Sequence, residues 1–133
     1  MAPKDETVPI RTAEDVVHVR RAVRERAVGI GMSLVDQTKI ITAASEIARN
    51  TVVYGGGGSL RMEVMKQGAR SGLRLTFSDN GPGIADIERA MTDGYSTGGG
   101  LGLGLSGAKR LSSEFSIRST PGQGTTVTLT RWK

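Results

Sequence analysis

The sequence predicts an α/β two-layer sandwich: a mixed, mainly antiparallel sheet of about five strands with its helices packed on one face. Three observations lead there. Strand-like segments stand at both ends of the chain, alternating apolar patterns come in adjacent pairs joined by short turns, and two helical periodicities lie together near the N-terminus. Adjacent strand pairs argue against a doubly wound parallel sheet, whose neighbouring strands are separated in sequence by helices. At 133 residues the chain fits one domain, residues 1–133, large enough to bury a core without disulfides.

Residues 7–11 are apolar and extended, and Pro9, which lacks an N–H, confines them to a sheet edge or a strand start. Thr12-Ala-Glu-Asp15 then has capping-box spacing, with Asp15 at the positive end of the helix that follows. Val16, Val19, Val23, Ala27 and Ile30 recur at helical steps, so residues 13–30 form an amphipathic helix. Arg20, Arg21, Arg24 and Arg26 lie off that stripe and read as a solvated face, as does His18. Gly29 and Gly31 end this helix, and Ser33-Leu-Val-Asp36 opens another. Its apolar residues, from Val35 through Ile40, Ile41, Ala44, Ile47 and Ala48 to Val52, predict a well-buried helix from Leu34 to about Tyr54. On it Glu46 and Asn50 stand four residues apart on one side, where two polar groups need hydrogen-bond partners or a ligand. Arg49 or Lys39 could pair with that Glu.

Glycines 55–58 form a turn, and residues 60–64 and 73–77 alternate with period two on either side of residues 67–72, an antiparallel hairpin. The second strand runs straight into Asp79. Ile84, Ile87 and Met91 predict a short helix over 84–91, and the Gly-, Ser- and Thr-rich residues 92–100 predict a loop long enough to act as a lid. A helix beginning at Leu101 or Gly102 carries Leu105, Ala108 and Leu111 on one face. Residues 114–119 and 125–131 close the chain as a second hairpin about Pro121-Gly-Gln-Gly124.

Composition excludes several classes of function. There is no cysteine, so no thiolate metal site or cysteine nucleophile, and a single histidine, His18, excludes a multi-histidine cluster. No apolar run approaches a bilayer span and the N-terminus has no signal-peptide core, so the expectation is a cytoplasmic protein with no membrane partner. A net charge of +5 and a pI near 10.1 raise the question of nucleic acid. With two Tyr, two Phe and one Trp, none interleaved with basic residues, there is no base-stacking platform, and no nucleic acid is expected. A triphosphate or an acidic protein partner is the better use of the charge.

The glycine-rich segments need testing against the known phosphate loops. Gly102-Leu-Gly-Leu-Ser-Gly-Ala-Lys109 fails the Walker pattern, because Ala108 intervenes before the lysine and Arg110 replaces the hydroxyl. Gly100-Leu-Gly102-Leu-Gly104 has the wrong spacing for a dinucleotide fingerprint and follows a loop. The chain is too short for the catalytic loop and metal triplet of a eukaryotic protein kinase.

What is present, in order, is Glu46-x-x-x-Asn50 on a buried helix, Asp79-x-Gly81-x-Gly83 after a strand, Gly100-x-Gly102-x-Gly104 at a helix start, and Gly122-x-Gly124-Thr-Thr126. This set resembles the GHKL ATPases, the superfamily of gyrase, Hsp90, histidine kinases and MutL, over residues 34–130, and implies their Bergerat-type ATP-binding fold. Within it, Ala44-Ser-Glu-Ile-Ala-Arg-Asn-Thr51, Tyr54-Gly55 and Gly102-Leu-Gly-Leu-Ser-Gly-Ala-Lys-Arg-Leu111 look like the RsbT-type switch kinases of bacterial stress signalling. These are relatives of the anti-sigma-factor serine kinases. Ser106 departs from the Pro expected there.

The resemblance implies roles. Asp79 would accept a hydrogen bond from the adenine amino group, and Gly81 and Gly83 would keep the backbone close to the base, where any Cβ would occupy its space. Gly98, Gly99, Gly100, Leu101, Gly102, Leu103 and Gly104 would fold over the triphosphate of ATP, and Thr125 of the last motif joins the nucleotide contacts. Asn50 would hold Mg²⁺, and Glu46 would be the general base. Arg49, Lys109 and Arg110 are weaker candidates for phosphate or partner contacts. The implied activity is a serine/threonine kinase phosphorylating STAS-domain antagonist or scaffold proteins of a stressosome, then activating a PP2C-type phosphatase by binding. The alternatives are an anti-sigma factor that also binds a sigma factor, and a nucleotide-gated binding module without phosphoryl transfer.

Overall fold

A computed structural model describes residues 6–84 and 103–133. In chain order these form β1 (Glu6–Ile10), α1 (Ala13–Gly29), α2 (Leu34–Val53), β2 (Gly58–Gln67), β3 (Arg70–Asp79), α3 (Leu103–Arg110), β4 (Glu114–Thr120) and β5 (Gly124–Trp132). The sheet order is β1-β2-β3-β5-β4, and the expected mainly antiparallel sheet is antiparallel in all of its pairings. β1, with Pro9, is an edge strand as its missing donor requires. The helix expected over 84–91, beyond Ile84, and the lid expected over 92–100 lie outside the described residues. No helix among the described residues is long and apolar enough to cross a membrane.

Local chemistry sets the helix starts. The Asp15 carboxylate accepts the N–H groups of Arg11 at 2.8 Å and Thr12 at 3.3 Å, and the first of these bonds holds its carboxyl below the ordinary value. Ser33 Oγ accepts the Asp36 N–H at 3.1 Å.

The first hairpin corrects the expected connection over 67–72. The ladder runs on through Met65–Gly72, Lys66–Ser71 and Gln67–Arg70, leaving only Gly68 and Ala69 at the turn. The buried alternation stops earlier than the strands do. Polar residues there keep their ladder hydrogen bonds while their side chains reach water.

Strand alternation aims one face of the sheet at the helices. Val8, Leu60, Phe77, Val127 and Ile117 form one cross-strand row, and Met62, Leu75, Leu129 and Phe115 form the next. Val19, Val23 and Ala27 of α1, Ile40, Ala44, Ile47 and Ala48 of α2, and Leu105 and Ala108 of α3 close over them. The opposite face, with Arg61, Thr76, Thr128 and Ser116 in one row, is polar, as befits a sheet solvated on one side.

A third inner row matters for function: Ile10, Gly58, Asp79, Thr125 and Ser119. Asp79 lies two residues beyond Phe77, so its carboxylate faces the helices rather than solvent. At the other end of β5, Arg131 bonds the Asp36 carboxylate at 2.7 and 3.1 Å and the Leu111 carbonyl at 2.9 Å. That one guanidinium joins the start of α2, the residue after α3 and the end of β5.

Candidate active site

The C-terminal half of α2, the Asp79–Thr125 row and the start of α3 frame an open cleft of about 600 Å³. Ile47, Phe77, Ile84, Leu105 and Val127 make its walls apolar, and Asn50, Tyr54, Asp79 and Thr125 are its polar groups. This is the composition of a small-molecule site, with mostly apolar lining and a few placed polar atoms.

Asp79 is oriented by the backbone. Its Oδ1 accepts the Gly81 N–H at 2.9 Å, closing a turn, and the Thr125 N–H at 3.3 Å. The turn-capping use of Asp79 and its place in the cleft are therefore compatible. Thr125 contributes through its N–H, because its hydroxyl is shared with Ser119 Oγ at 2.8 Å. Ser119 Oγ also accepts the Ile84 N–H at 2.6 Å, tying the segment after Asp79 to β4.

The glycines at 81 and 83 pack against backbone of neighbouring segments. A Cβ on Gly81 would meet the Gly55 Cα at 2.7 Å, and one on Gly83, at φ +78°, would meet the Thr120 carbonyl oxygen. Both positions exclude side chains through backbone contact with a neighbouring segment, and Gly81 does not line the cleft. The glycine that guards the carboxylate is Gly55, where a Cβ would sit 2.7 Å from Asp79 Oδ2.

Glu46 and Asn50 of α2 and Tyr54, which caps its C-terminus, recur at steps of four and share one side of the helix end. Asn50 Nδ2 and the Tyr54 hydroxyl are buried without a hydrogen-bond partner among the described residues, and both residues line the cleft. Leaving a polar group in that state costs about 1–3 kcal/mol, so the pair is suited to a bound polar ligand. Tyr54 is a site residue that the sequence reading missed as one, although its spacing from Glu46 and Asn50 was visible.

Glu46 lies one turn before Asn50, outside the cleft lining, with its side chain 37% exposed. Arg49 donates to both of its oxygens at 3.2 Å, so the expected pairing falls on Arg49 rather than Lys39. Lys109 and Arg110 close α3 at the end away from Leu105, where positive charge suits the helix dipole. The structure thus brings Asn50, Asp79, Gly83 and Thr125 together. Gly98, Gly99, Gly100, Leu101 and Gly102 lie outside the described residues, and Leu103 and Gly104 open α3.

A carboxylate acceptor, an amide and a hydroxyl around an apolar slot fit a purine nucleotide. The family described as histidine kinase-, DNA gyrase B- and HSP90-like ATPases matches residues 35–133. The chain belongs to these GHKL ATPases. Among GHKL proteins it is 45% identical over 125 residues, 94% of each chain, to the serine/threonine-protein kinase RsbT of Bacillus subtilis (strain 168). It is 30% identical over 118 residues to the anti-sigma F factor of Thermoanaerobacter sp. (strain X514), covering 85% of this chain and 82% of that one. The crystal structure of the RsbU and RsbW domains of Rv1364c from Mycobacterium tuberculosis superposes with a TM-score of 0.70 at 24% identity. That match covers 98% of this chain and 33% of the other, and it bears on the fold alone. This GHKL chain is an ATP-using protein serine/threonine kinase.

Proposed function

We propose that this kinase phosphorylates a serine or threonine of a STAS-domain antagonist or scaffold protein in a stressosome, and then binds and activates a PP2C-type phosphatase. The observation that carries it is the cleft itself: an oriented Asp79 lines it together with Asn50 and Tyr54, two polar groups with no partner among the described residues, in a chain 45% identical to the kinase RsbT. Asp79 accepts the adenine amino group, and the apolar walls take the base. Asn50 would hold Mg²⁺ through its side-chain oxygen, leaving its unpartnered Nδ2 free to donate to the nucleotide. Bound Mg-ATP supplies the transferable phosphoryl group and the means of offsetting its charge.

Glu46 serves as general base. Its carboxylate is partly exposed one turn before Asn50, and in this reading it takes the proton of an acceptor hydroxyl from another protein. Its ion pair with Arg49 is exposed on both sides, so separating it costs little, about 0–1 kcal/mol.

The test is the intact mass of candidate STAS-domain proteins after incubation with this chain and Mg-ATP. One added phosphate is expected with the native chain and none with Glu46→Gln, while both bind ATP equally. No added phosphate on any candidate, with ATP binding intact, would sink the proposal. The 30% identity to an anti-sigma F factor favours a second reading, a kinase that also captures a sigma factor; co-purification with a sigma subunit would select it.

A further inference from the structure

The arginines of α1 divide into two groups. Arg26 pairs with Glu6 at 2.8 Å, whereas Arg20, Arg21 and Arg24 are exposed and make no ion pair among the described residues. With Val17 and Ile41 these three line a groove of about 500 Å³ between α1 and α2. Helical spacing extends the face: Val17, Arg20, Arg24 and Val28 recur at steps of three and four on α1, as do Leu34, Thr38 and Ile41 on α2. Val17, Val28 and Leu34 are 53%, 55% and 76% exposed. Among the described residues, cations without an ion-pair partner are thus flanked by exposed apolar groups, along a stripe of about 16 Å or three helical turns.

We propose that this groove docks an acidic, amphipathic helix of a protein partner. Its apolar residues lie against Val17, Val28 and Leu34, and its carboxylates face Arg20, Arg21 and Arg24. Charge decides the occupant. A second copy of this chain would set arginine against arginine. A nucleic-acid backbone would use the arginines but leave the exposed Val17, Val28 and Leu34 without an apolar partner. The proposal rests on the kinase reading only for the statement that the partner is a protein.

The test uses the chain's lack of cysteine: Val17→Cys, labelled with an environment-sensitive fluorophore, reports on the groove alone. The probes are two synthetic helices, one of Glu and Leu with leucines at heptad spacing and one with Lys in place of Glu. The Glu peptide should bind and shift the emission, and the Lys peptide should not. Affinity should fall roughly tenfold or more with added salt, and again in the Arg20→Glu, Arg21→Glu, Arg24→Glu triple variant. Retained binding of a fluorescent ATP analogue certifies that variant's fold, and the corresponding triple Gln variant replaces it if it fails to fold. Unchanged peptide affinity on charge reversal, no binding of the Glu peptide, self-association through the labelled face, or tighter binding of duplex RNA would each overturn the proposal. Binding is read without phosphoryl transfer, so a failed kinase assay beside an intact peptide complex strikes the function and not the groove.

Discussion

Asp79 and Thr125 are direct partners across the β3–β5 ladder, and the Thr125 N–H also donates to the Asp79 carboxylate at 3.3 Å. With the Gly81 N–H at 2.9 Å, this spends Oδ1 on orientation and leaves Oδ2 beside Gly55 at the cleft. Asp79→Asn can keep an oxygen toward those two N–H groups while losing the charged acceptor. Its thermal unfolding should stay close to native, and its ATP affinity should fall roughly ten- to hundredfold, the equivalent of about 1.5–3 kcal/mol. Calorimetric titration with ATP reads the effect; native-like affinity would remove Asp79 from adenine recognition.

Tyr54 carries a buried hydroxyl with no partner among the described residues. Removing it should therefore relieve the nucleotide-free protein and harm the complex. Tyr54→Phe should match or exceed native stability, by up to about 1 kcal/mol, while ATP binds several-fold more weakly. Urea unfolding with and without nucleotide separates the two effects, and a loss of stability in the free protein would contradict the assignment.

Gly55→Ala places a methyl 2.7 Å from Asp79 Oδ2 without asking for a positive φ. The side chain must swing away, so ATP affinity should drop about tenfold or more for a stability cost of about 1–3 kcal/mol. Unaltered nucleotide binding would show that the Asp79 carboxylate need not hold its observed position.

Asp36 is held below its ordinary carboxylate value of 3.8, first by its hydrogen bond with Arg131, and Asp15 is held below it first by the Arg11 N–H. A depressed folded-state value means stability that is full above the ordinary value and is lost as pH falls through the lower one. Arg131→Met should cost about 1–3 kcal/mol near neutrality, and its gap from the native protein should narrow as pH falls below the ordinary carboxylate value and through the lower folded-state one. Unfolding titrations at both ends check this; a gap that stays constant with pH would show that Arg131 acts by packing alone.

Much of the scaffold was legible in the sequence, because its signals are local. The stripe Val16-Val19-Val23-Ala27, the cap at Ser33 and the alternation over 73–77 are properties of neighbouring residues and backbone geometry. So is the spacing of Glu46, Asn50 and Tyr54, which follows from the helix repeat wherever that helix is placed.

Tertiary structure decided what those residues face. Thr125 reaches Asp79 across 46 positions, and Arg131 reaches Asp36 across 95, through a sheet order that inserts β5 between β3 and β4. No local pattern encodes that order, because it depends on which apolar faces cover one another. The same packing set Gly81 against Gly55, left Asn50 and Tyr54 in one cleft with no partner among the described residues, and separated Arg26 from the three arginines of the groove. The sequence by itself determined the helices, the hairpins and the order of the motifs. Only long-range packing, which sets distances and burial between segments remote in the chain, decided which of their atoms meet.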